Sequence, residues 1–164
     1  MRVWRLLSIG GLLFSLFNSY ISYPSEVAVR FNEIGQASQY VDREVLFYLS
    51  VGIFLVIYTL TNTVARLFPR IPTEQIPTFN VPAWATHRDQ LNTVYINWFY
   101  ALAAAVNTVL ALGLMVLSLL NRSDRSAAGE LDYAWLLPLS TAIFAIVLVS
   151  LPVRLLMKPR PDHE

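Results

Sequence analysis

Four stretches of this chain are apolar over lengths that suit a bilayer, and the three polar connectors between them differ in character. The apolar stretches are Leu6–Tyr23, Val45–Leu67, Val94–Leu120 and Tyr133–Met157. Crossing a hydrocarbon core takes roughly 20 largely apolar residues, so each is expected to span the membrane. Lipid offers no partners to backbone N–H and C=O groups, which leaves helices or a closed barrel. A barrel needs short segments of alternating polarity. The run Ala101–Leu120 is broken by polar side chains only at Asn107, Thr108 and Ser118, and it does not alternate. The expected fold class is therefore an all-α membrane protein with four transmembrane helices. Residues 1–164 form one membrane domain, ending in a flexible tail at 158–164.

Composition supports the same reading. Charged residues make up 14% of the chain and hydrophobic ones 55%, whereas a soluble domain carries about a quarter charged residues. The basic residues are unevenly shared between the two sides. Arg2, Arg5, Arg66, Arg70, Arg88, Arg154, Lys158 and Arg160 fall on the side of the two ends of the chain. Arg30, Arg43, Arg122 and Arg125 fall on the other. Positive residues are retained on the cytoplasmic side, so both ends are expected there and the first loop is expected outside. Trp4, Tyr20, Tyr23, Phe47, Tyr48, Tyr95, Trp98, Tyr133 and Trp135 lie near the expected interfaces, as aromatic belts do. The first span begins like a signal peptide, but bulky Tyr20, Ile21 and Tyr23 stand where a cleavage site needs small residues. A retained signal anchor is expected.

The first connector, Pro24–Tyr40, is too polar for a bilayer but is not the Gly/Ser filler of a passive linker. Val27, Val29 and Phe31 alternate with Ala28 and Arg30, which predicts a short strand. Asn32, Glu33, Ile34 and Gly35 then supply a turn. The second connector, Phe68–Thr93, carries prolines at 69, 72, 77 and 82 that forbid a continuous helix. Its apolar Ile76, Phe79, Val81 and Trp84 suit a loop lying against the membrane or bundle. A helical lead-in to the third span is expected over Trp84–Asn92. The third connector, Asn121–Asp132, reads as a plain link. Asn121-Arg122-Ser123 matches a glycosylation pattern, but it abuts the span and carries no weight.

Within the spans, Ala101 and Ala105, Ala103 with Asn107 and Ala111, and Ala104 with Thr108 repeat at four-residue spacing. Small side chains in that pattern let helices approach closely. Asn107 sits mid-span, where its amide needs a partner, and is expected to clamp one helix to another. With Thr108, Thr59 and Asn62 it forms a candidate polar seam. No Asp, Glu, Lys or His lies deep in a span, which argues against a proton relay or pump. His87 and His163 are the only histidines and cysteine is absent, so no metal centre, disulfide or cofactor is expected. No nucleophile, base and oxyanion donors assemble, and an enzyme is not expected. A net charge of +1 gives no reason to expect nucleic acid.

Two loops together carry a family resemblance. Pro24, Val27, Phe31, Asn32, Gly35 and Tyr40 resemble the P-x-x-(I/V)-P-x-H-F-N-x-x-G-x-x-D-x-(Y/W) loop of the bacterial domain of unknown function 1648. That domain occurs in small multi-span proteins and at the start of the immunity protein of the Sdp toxin system. Phe79-Asn80-Val81-Pro82, with Trp84 and Arg88, is similar to the asparagine-proline motif and following Trp and Arg of single-domain members. The likeness covers Leu6–Leu120. The family's histidine before Phe-Asn is Arg30 here, which weakens any imidazole-based account such as metal ligation or pH sensing. The resemblance implies a bacterial cytoplasmic-membrane protein akin to toxin-immunity proteins.

The functional expectation is recognition. Val27, Arg30, Phe31, Asn32 and Gly35 would shape an exterior surface, and Asn80, Pro82 and Trp84 form a second-loop motif. The expected partners are the lipid bilayer and either another membrane protein or a second copy of the chain. Two other classes remain open. One is a small transporter or transporter subunit using the Asn107, Thr108, Thr59 and Asn62 seam. The other is a structural subunit of a membrane complex.

Overall fold

A computed structural model describes residues 2–32, 36–76, 84, 86–121, 135–157 and 159. Four long helices account for most of them: α1 (Arg2–Ser22), α2 (Arg43–Leu67), α3 (Arg88–Leu120) and α4 (Leu136–Leu156). Between α1 and α2 stands a hairpin of β1 (Glu26–Phe31) and β2 (Ala37–Asp42). Three helices, α2, α3 and α4, are long and apolar enough to cross a membrane. The helix α1 is not among them; Arg2 and Arg5 open it, and serines, glycines and an asparagine interrupt its apolar residues.

Those serines have a structural use. Ser8, Leu12, Ser15, Leu16 and Ser19 are all buried, and their spacing puts them on one seam. Leu6, Leu7, Phe14, Phe17 and Ile21 stand exposed on the remaining surface. Small residues on the buried face let helices approach closely. The seam lies against α3, its most extensive packing partner. Leu12 and Leu16 meet Leu114 there.

The α3 helix is the centre of the bundle, touching α1, α2 and α4. It begins at Arg88, six residues before the apolar stretch starts, and its alanines do what the spacing predicts. Ala101 and Ala105 are buried against Val147 of α4, while Ala104 is also buried. The helix α4 touches little else and is exposed over most of its length. Two indoles fix it to α3 and its lead-in. Trp98 Nε1 donates to the Val147 carbonyl at 2.7 Å, and Trp84 Nε1 donates to that of Leu155 at 3.0 Å. Leu155 lies in the last turn, where carbonyls lack intrahelical donors. Trp84 therefore caps α4.

The connector after α2 is folded against the bundle as far as it is described. Two short 3₁₀ turns, Phe68–Arg70 and Thr73–Gln75, follow the helix, with Pro69 and Pro72 preventing its continuation. Phe68, Ile76, Trp84, Leu91, Tyr95 and Leu155 form one buried cluster. Arg88 secures it by donating to the carbonyls of Ile71 at 2.6 Å and Phe68 at 3.3 Å. A cation suits the carbonyl-rich end of α2. The helical lead-in expected from Trp84 starts as continuous α-helix only at Arg88. Asn80, Pro82 and Phe79, the link at 122–134, and the tail at 158 and 160–164 lie outside the described residues.

Candidate functional site

Two places gather polar side chains of interest: the hairpin at one end of the bundle, and a slot between α1, α2 and α3 toward the other end.

The hairpin is antiparallel, with Val27 opposite Val41 and Ala28 opposite Tyr40. The strand forecast from Val27, Val29 and Phe31 is β1, but alternation fails after Ala28. Arg30, not Val29, stands opposite Gln39, so Val29 is an inserted residue of the kind that makes a bulge. Val27 and Ala28, just before it, are both buried. Asn32 closes the loop, its Oδ1 accepting the Gln36 N–H at 2.7 Å while its own N–H donates to Gln36 O at 2.9 Å. At the far end Asp42 Oδ1 accepts the Glu44 N–H at 2.7 Å and caps α2, so β2 runs directly into that helix.

The hairpin is pinned to the bundle by residues outside it. Asn121, immediately after α3, turns its carboxamide to the outer edge of β1. Its Oδ1 accepts the Ala28 N–H at 2.8 Å and its Nδ2 donates to the Ala28 C=O at 3.1 Å. The amide thus pairs with the strand edge as a neighbouring strand would. Nδ2 also reaches the Leu117 carbonyl at 2.9 Å. Tyr23, at the end of α1, donates its hydroxyl to the Leu114 carbonyl at 2.7 Å, and its own carbonyl receives Arg43 Nη1 at 3.2 Å. Arg43 also lies over the Tyr20 ring at 4.9 Å.

Among the forecast surface residues, Arg30 and Asn32 are exposed and Phe31 is half-buried, whereas Val27 is completely buried. Val27 therefore anchors the hairpin and presents nothing to a partner. Gly35 lies outside the described residues. The exposed face includes Tyr40, Ser38 and Gln39 of β2, which the polar sequence Ala37–Asp42 did not signal as a strand. Asn121 was also missed as an anchor. Its one local signal was a polar amide at the end of a long apolar run, the position where helix carbonyls need donors.

The slot joins part of the forecast seam. Arg5, Asn62, Thr61, Tyr100 and Asn107 line a cavity of about 20 Å³, with Phe54 among its apolar walls. Asn62 Nδ2 donates to the Tyr58 carbonyl at 2.8 Å, and Tyr100 Oη donates to Asn62 Oδ1 at 3.4 Å. The Arg5 guanidinium lies 3.9 Å from the centre of the Tyr100 ring, a cation–π contact. Asn107 is 5% exposed and its Oδ1 has no hydrogen-bond partner. The other two seam residues are elsewhere. Thr108 donates to the Ala104 carbonyl at 2.7 Å and borders an apolar groove of about 350 Å³ with Trp4, Gly11, Phe14 and Met115. Thr59 is exposed on α2.

Among the described residues, no group of three His, Asp or Glu side chains is placed to hold a metal ion. Comparison with known protein families, curated proteins and solved structures returns no match for this chain.

Proposed function

We propose that this chain is a non-enzymatic, four-span protein of a bacterial cytoplasmic membrane whose hairpin serves as a recognition surface on the outer face. The observation that carries the reading is the way the hairpin is held. Val27 and Ala28 of β1 are buried and Asn121 closes the strand edge at Ala28, while Arg30, Gln39 and Tyr40 face solvent. A surface fixed before binding loses little entropy when a partner docks. In this reading α1 is the fourth span, its serines turned to α3 and its large apolar side chains turned to lipid. The basic residues at Arg2, Arg5, Arg66, Arg70 and Arg88 support a cytoplasmic side for both ends. The loop likeness to the domain of unknown function 1648 supports a toxin-immunity-like or partner-binding role.

The test is native purification of the wild-type chain beside Arg30→Ala/Tyr40→Ala, with a photo-crosslinker at Gln39. One stoichiometric partner that crosslinks to the wild type and is lost from the double variant, at equal membrane abundance, is the expected result. A partner retained by the variant would remove the hairpin from the account. Single cysteines at Ser25 and Thr86 test the orientation, since the chain has none of its own. Labelling of Thr86→Cys from outside would reverse it.

A small transporter or transporter subunit is a second reading, for which the slot joining Asn62 and Asn107 would have to widen beyond its volume of about 20 Å³. Solute flux in reconstituted vesicles that disappears in Asn107→Leu is its test. A structural subunit using the alanine face of α3 has weaker support, because Ala101 and Ala105 are already covered by α4.

A further inference from the structure

We propose that the slot between α1, α2 and α3 holds one ordered water molecule, bound by Asn107 Oδ1 and shared with the polar side chains of the same cavity. Asn107 is almost completely buried near the middle of α3, and its Oδ1 has no protein donor. Buried polar groups are nearly always partnered. None of the slot's side-chain donors reaches Asn107 Oδ1. Asn62 gives its amide to the Tyr58 carbonyl, Tyr100 gives its hydroxyl to Asn62, and Thr108 gives its own to Ala104. The helix-to-helix clamp expected of Asn107 is therefore not made to any side chain that lines the slot.

The cavity has the size and chemistry for water. Its volume of about 20 Å³ exceeds the roughly 10–15 Å³ that one water requires and leaves no space for an organic solute. Arg5, Thr61, Asn62 and Tyr100 share the lining with Asn107, supplying the two to four polar partners a buried water typically makes. Chloride would answer the Arg5 charge, but it has no proton for Oδ1. Water donates to Oδ1 and accepts from the guanidinium or hydroxyl groups, so it satisfies both. This site does not depend on what the hairpin binds.

The test is water-to-protein magnetisation transfer by solid-state NMR, on asparagine-labelled protein reconstituted in phospholipid vesicles. The Asn107 carboxamide should receive magnetisation from water several-fold faster than the methyl groups of lipid-facing Leu137 and Ile146, measured on a leucine- and isoleucine-labelled sample. Ala103 lines the same slot, so Ala103→Val narrows it while leaving the Asn107 carboxamide in place. In that variant, shown to be folded by an otherwise unchanged spectrum, transfer to Asn107 should fall several-fold. Transfer to Asn107 as slow as to Leu137, or transfer undiminished in folded Ala103→Val, would overturn the proposal. So would an intermolecular contact at Asn107 in mixed-label samples, which would assign its oxygen to a second copy of the chain.

Discussion

The side chain of Asn121 and the backbone of Ala28 form a two-bond pair across 93 residues of sequence, at 2.8 and 3.1 Å. It closes the β1 edge, which would otherwise offer unpaired groups to other chains. Asn121→Ala is expected to leave that edge open and to cost the hairpin about 1–3 kcal/mol. Hydrogen exchange at the Ala28 amide should quicken accordingly, while the melting temperature of the bundle changes little. Asn121→Asp retains the acceptor but loses the donor, so it should fall between wild type and Ala.

Trp84 combines burial with a directed bond, and two variants separate these. Trp84→Phe keeps most of the packing against Phe68, Leu91 and Tyr95 but loses the bond to Leu155, and should cost about 1 kcal/mol. Trp84→Ala removes both and should cost about 3–5 kcal/mol. Thermal unfolding in a fixed detergent measures the difference. Equal losses would mean that the indole N–H is the whole contribution.

Arg88→Met keeps an apolar stem but releases the Ile71 and Phe68 carbonyls. Arg88 is half-buried, so the expected cost is on the order of 1 kcal/mol. The effect should be local. Protease cleavage between Ile71 and Ile76 should accelerate, with the spanning helices unaffected.

Gly52 lies within α2, and a Cβ built there meets nothing within 4 Å. Gly52→Ala should therefore stabilise by about 0.5–1 kcal/mol through the reduced freedom of the unfolded chain. A loss of stability would reveal a close neighbour at this face in the membrane, such as a second chain.

The helices were legible because lipid demands long apolar runs, and α2, α3 and α4 obey that demand. The serines of α1 weaken the same signal, since its buried seam is chosen for close approach and not for apolarity. The strand β1 was visible through Val27, Val29 and Phe31, but the bulge at Val29 was not, since it depends on the register with β2. That second strand is polar at Ser38 and Gln39 because it faces solvent, so periodicity gave no warning. Asn107 and Asn62 line one slot. Thr59 is not in its lining, since each helical residue turns by about 100° and the α2 face toward the slot is set by Tyr58, Thr61 and Asn62. Asn121 was illegible as an anchor because its partner is distant in sequence.

The two indole bonds to α4 have a mechanical consequence. This helix is apolar on nearly every side, so packing against lipid is almost indifferent to how far it is rolled about its long axis. Trp98 at Val147 and Trp84 at Leu155 act as two pegs eight residues apart, about 12 Å along the helix. Together they index its angle. Because one peg stands on α3 and the other in the folded connector before it, a displacement of that connector would be felt by α4 as torque.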